Sequence, residues 1–104
     1  MKEFISKGFL YTLWNDRLTV KEGTVMRNQW CRPTEAIFQY SNRDGDWTRC
    51  HPEPGNMVCA KFWLPERDDE LGRKLFLEYH KTCIKQLEMK IAAHTAKINL
   101  LQDA

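Results

Sequence analysis

The sequence predicts an α+β protein: a small antiparallel sheet of about five strands followed by one long C-terminal α-helix. Three observations carry this. Residues 1–64 break into short runs rich in aromatic and β-favouring residues, separated by turn-forming clusters. Beyond Pro65 no proline interrupts the chain, and apolar residues recur at four-residue spacing. A chain of 104 residues makes a single domain, 1–104, and at this size folding buries only about two-thirds of the surface the unfolded chain exposes, so the core is modest.

The elements follow in chain order. Phe9-Leu10-Tyr11-Thr12-Leu13-Trp14 reads as a first strand, Asn15-Asp16 supplies two residues tolerant of positive φ, and Arg17-Leu18-Thr19-Val20-Lys21 resumes alternation as a second. That strand extends through Thr24-Val25-Met26, with Gly23 marking a bulge or bend, before a loop from Arg27 to Pro33. Glu35–Tyr40 is the third strand, Ser41–Asp46 a dense turn cluster, and Trp47–Cys50 the fourth strand. His51-Pro52-Glu53-Pro54-Gly55-Asn56 is a loop, since two prolines remove ladder donors. The fifth strand runs from Met57 to Leu64, with Val58, Ala60, Phe62 and Leu64 towards the core and Met57, Cys59, Lys61 and Trp63 on the other face.

Residues 65–104 form the helical part. Pro65 suits a first turn, and the acidic cluster Asp68-Asp69-Glu70 complements the positive end of the helix dipole. A helix from about Asp68 to Leu101 would be roughly 50 Å long against a radius of gyration of about 13 Å for a globule of this size, so its C-terminal half is expected to project. That half has a seam: Ile84, Ile91 and Ile98 seven apart, and Leu87, His94 and Leu101 seven apart. Isoleucine at one core position with leucine at the other favours a two-stranded coil, so a homodimer is expected, with His94 able to set register or pH response. The competing reading packs the same stripe on the chain's own sheet.

Charge narrows the classes. The β-rich part holds nine Lys/Arg and seven Asp/Glu, the helical part seven of each, and the net charge is +2. Neither part is a basic nucleic-acid arm or an acidic nucleic-acid mimic. Met1-Lys2-Glu3-Phe4-Ile5-Ser6-Lys7 lacks the apolar run of a signal peptide, and no window approaches the apolar length of a membrane span. The expected location is the cytoplasm, where Cys31, Cys50, Cys59 and Cys83 remain thiols.

The chemistry-bearing residues give four constellations. Cys31, Cys50, His51 and Cys59, or His80 with Cys83, carry zinc-ligand side chains, yet no two cysteines make the close pair that orients two sulfurs at once, and no metal or other cofactor is expected. Cys50 or Cys59 with His51 or His80 would be a nucleophile and base, but no glycine-rich turn offers oxyanion amides, and no catalysis is expected. A calcium loop around Gly45 would place Tyr40 and His51 at its end ligands, both unsuitable, so that segment is read as a turn. Trp30, Arg32, Trp47, Arg49 and Trp63 form the fourth set, an aromatic and cationic face suited to a protein hot spot or, alternatively, to stacked bases and phosphates.

The run Trp63-Leu64-Pro65-Glu66-Arg67-Asp68-Asp69-Glu70-Leu71-Gly72-Arg73-Lys74-Leu75-Phe76 resembles small phage- and prophage-encoded proteins. What the resemblance implies is a setting, in which such proteins bind and block host defence machinery as anti-CRISPR proteins do. The expected function is then a non-enzymatic inhibitor or adaptor that occludes a host protein or ribonucleoprotein complex in the host cytoplasm.

Overall fold

In a computed structural model the described residues are 3–14, 17–42 and 45–103. The fold is α+β. Strands β1 (Glu3–Trp14), β2 (Arg17–Arg27), β3 (Ala36–Tyr40), β4 (Trp47–Cys50) and β5 (Lys61–Leu64) precede a single helix, α1 (Asp69–Gln102). All pairings are antiparallel and the strand order is β4-β3-β2-β1-β5, a meander whose last strand returns to pair with the first. The sheet curls until β4 and β5 approach: the Lys61 ammonium donates to Thr48 Oγ1 at 2.9 Å, and the Trp63 indole N–H donates to the His51 carbonyl at 2.6 Å.

The first hairpin is longer than expected. β1 begins at Glu3, and Glu3 pairs with Arg27 at the far end of β2. The expected turn, Asn15-Asp16, lies outside the described residues, as does the Arg43-Asp44 centre of the second turn cluster. The register shift falls between Phe4 and Ser6 instead of at Gly23, which lies opposite Gly8 in unbroken ladder. These two glycines serve close approach. A Cβ on Gly8 would come within 2.9 Å of the Trp63 ring, and one on Gly23 would lie 2.5 Å from the Phe38 ring and strike the Gln39 carbonyl.

The fifth strand is shorter than expected. Cys59 and Ala60 have φ of 51° and 59°, and Val58 and Lys61 exchange both backbone hydrogen bonds around them at 2.8 and 3.0 Å, so this segment is a tight turn. Ala60, expected in the core, is exposed there. Phe62, Trp63 and Leu64 are then buried in succession, which period-two alternation forbids for a strand with one wet face. Leu10, Val25, Ala36, Phe38, Cys50 and Trp63 form the inner core, while on the opposite face Tyr11 stacks on Phe62 with centroids 5.3 Å apart. The Tyr11 hydroxyl accepts the Asp68 amide at 2.7 Å and donates to Asp69 Oδ1 at 3.2 Å, tying β1 to the residues that open α1.

Within α1 Gly72 and Phe76 are buried, and every residue from Ile84 to Asp103 is exposed. Among the described residues no helix is long and apolar enough to cross a membrane.

Candidate functional site

Cross-strand register builds a second, outward face on β2, β3 and β4. Met26 pairs with Ile37 and Ile37 with Arg49, giving one row; Thr24 pairs with Gln39 and Gln39 with Trp47, giving the next. These side chains alternate with Val25, Ala36, Phe38 and Cys50, which point into the core. The result is a platform of two apolar residues, a hydroxyl, an amide, an indole and a guanidinium.

The loop after β2 closes one side of it. Asn28 Oδ1 accepts the Trp30 amide at 2.9 Å and the Cys31 thiol at 3.4 Å, and the Asn28 carbonyl accepts the Cys31 amide at 3.2 Å, a turn built by a short polar side chain bonding its own backbone. Arg27 Nη2 and the Glu35 amide both donate to the Arg32 carbonyl, at 3.1 and 2.9 Å. Trp30 is thereby presented on a fastened loop, 80 % exposed, facing a cleft of about 410 Å³ that it lines with Met26, Ile37, Gln39, Trp47 and Arg49. Asn28, Cys31 and Glu35 complete its polar side.

Of the five residues expected to bind a partner, three meet here: Trp30, Trp47 and Arg49. Arg32 stands beside the cleft, its guanidinium 3.6 Å from the Glu35 carboxylate, and contributes through its carbonyl. Trp63 is a correction. At 2 % exposure it belongs to the core, because β5 is buried on both faces and its indole is needed to fill the space above Gly8. Met26, Ile37 and Gln39 are floor residues that the sequence reading passed over. The signal for them is weak, since Ala36-Ile37-Phe38-Gln39-Tyr40 is apolar or aromatic at four of five positions and its alternation does not mark the outer face.

The thiol chemistry is quiet. All four cysteines are free. Burial pushes the Cys50 thiol up to about 12, with the neighbouring Cys31 thiol adding in the same direction, so at neutral pH Cys50 stays protonated and is a poor nucleophile. The His51 ring accepts the Glu53 amide at Nδ1, 3.0 Å away, and its carbonyl is engaged by Trp63, so both its ends serve the loop. Among the described residues no three His, Cys, Asp or Glu side chains converge as a metal ion requires, Cys31, Cys50, His51 and Cys59 included.

The six residues expected to pair helices are all open to solvent: Ile84, Leu87, Ile91, His94, Ile98 and Leu101. The chain matches no family model, and no curated protein and no solved structure is significantly similar to it.

Proposed function

We propose that this chain is a non-enzymatic binding protein that captures a protein partner in the cleft between the Asn28–Glu35 loop and the outer face of β2–β4. One observation carries the reading: exposed Trp30 from the loop meets exposed Trp47 and Arg49 from β4 over a floor of Met26 and Ile37. Tryptophan and arginine are among the side chains that concentrate binding energy in protein interfaces, since each combines large apolar contact with a directional polar group, and methionine is enriched there. Glu35 and Arg49 both line the cleft and leave it mixed in charge, which suits a peptide or protein surface better than a phosphate backbone.

The chain is also read as a homodimer through α1. Burying an Ile or Leu is worth about 1.5–3 kcal/mol, whereas association costs about 4–15 kcal/mol, so the exposed seam outweighs that cost only if most of its length is used. An inhibitor or adaptor needs no more than this: a recognition cleft and a means of self-association. In the phage setting that the strand-to-helix junction suggests, the partner would be a host defence complex.

The test is capture of a defined complex from bacterial lysate by the native chain and by the double variant Trp30→Ala/Trp47→Ala, at low and moderate salt. The reading expects one protein complex, retained at moderate salt and lost in the double variant. Binding that collapses with salt and yields nucleic acid would replace it with the base-stacking alternative.

A further inference from the structure

The exposed face of α1 extends further back than Ile84. Leu77 lies one heptad before Ile84 and His80 one heptad before Leu87, and both are exposed, Leu77 at 55 %. One core position of the repeat is therefore filled by Leu77, Ile84, Ile91 and Ile98. The other holds His80, Leu87, His94 and Leu101, an alternation of histidine and leucine along about 37 Å of helix.

We propose that a second copy of this chain covers this face, parallel and in register, so that His80 and His94 each meet their own counterparts. The inference rests on the dimer reading above and adds its direction and its response to pH. Ile84 with Leu87 and Ile98 with Leu101 are the isoleucine-then-leucine core pairs that suit two parallel strands. The flanking charges agree. In a parallel pair each residue before the first core position faces the one after the second core position in the next heptad of the partner, which sets Cys83 beside the partner's Glu88, Lys90 beside the partner's Thr95 and Lys97 beside the partner's Gln102. No like charges meet. The antiparallel register that uses all eight core positions instead brings Glu88 to the partner's Glu88 and Lys90 to the partner's Lys90 across the two-fold axis.

The histidine layers give the pair a pH response. Around His80 stand Lys81, Cys83 and the Tyr79 ring, edge-on at 5.2 Å; around His94 stand Lys90 and Lys97, each within one turn. No carboxylate on the seam offsets an imidazolium in either layer, Glu88 flanking the leucine layer between them. Neutral imidazoles pack face to face, while two imidazoliums in one layer repel, so the dimer is held at neutral pH and loosens in mild acid.

Cross-linking tests the direction and sedimentation tests the response. In a chain with Cys59 and Cys83 replaced by serine, Leu101→Cys is expected to form a disulfide dimer in a glutathione redox buffer, and so is Leu77→Cys. Cross-linking found only when the two variants are mixed would show antiparallel pairing and overturn the inference while leaving dimerisation standing. A monomeric mass at neutral pH would overturn both, without touching the cleft. The native dimer is expected to weaken by at least about tenfold between about pH 7.5 and pH 5.5, and His80→Leu/His94→Leu to abolish that change. Equal affinity at both pH values would show that the histidines do not face each other.

Discussion

Cys50 is the residue whose chemistry the fold changes most. Its thiol, ordinarily near 9, is held at about 12 by burial in the inner core. The unfolded chain ionises at the lower value and the native chain does not, so this contribution to stability is complete below about pH 9 and is lost as pH rises from about 9 towards 12. Alkaline unfolding of Cys50→Ala should be shallower over that window than that of the native chain. At neutral pH a thiol reagent should label exposed Cys59 quickly and Cys50 only at the rate of unfolding; rapid labelling of Cys50 would contradict its burial. Gly23 is a second such residue. Gly23→Ala places a methyl against the Phe38 ring and the Gln39 carbonyl, and should cost about 2–3 kcal/mol in urea unfolding. Tyr11→Phe deletes the hydroxyl that accepts the Asp68 amide and should cost about 1 kcal/mol by the same measurement.

At the scale of elements, the turn before β5 and the exposed part of α1 behave oppositely under substitution. Cys59 and Ala60 both adopt left-handed backbone, which costs an L-residue with a Cβ about 1–2 kcal/mol. Cys59→Asn with Ala60→Gly supplies the pair that such turns prefer, and should raise the unfolding midpoint while leaving the near-UV spectrum of the buried Trp63 unchanged. Ile91→Asp acts elsewhere. Ile91 is 65 % exposed, so the charge meets water in the single chain and a second seam in the proposed dimer. The expected outcome is a folded monomer by light scattering, and an unaltered dimer mass would exclude the helical seam.

At the scale of the whole molecule, the cleft and the proposed seam are built by different parts of the chain. The cleft is made by residues 26–49, and the seam by residues 77–101. Trp30→Ala/Trp47→Ala should therefore lose the partner and keep the dimer, while Ile91→Asp loses the dimer and keeps single-site capture. Joint loss of both properties in either variant would mean that the partner engages both surfaces. With a net charge of only +2, the protein should also show little of the steep salt dependence that phosphate contacts produce.

Sequence alone determined the features that local chemistry controls. Strand runs and the acidic opening of the helix depend on residues a few positions apart, and β2, β3, β4 and the start of α1 lie close to where their patterns put them, whereas β1 is longer and β5 shorter than its own run suggests. Trp30, Trp47 and Arg49 were legible as residue types suited to recognition, though not as neighbours. Tertiary structure alone decided the rest, because it turns on pairings between distant segments. Glu3–Gly8 becomes strand only because β2 is long enough to pair with it. Trp63 is buried because a curled sheet gives its last strand two dry faces and leaves room for an indole above Gly8, which no alternation within Met57–Leu64 can encode. The floor of the cleft is set likewise by the register of β3 between β2 and β4, a long-range choice that assigns Ile37 outward and Phe38 inward from a run in which both are equally apolar.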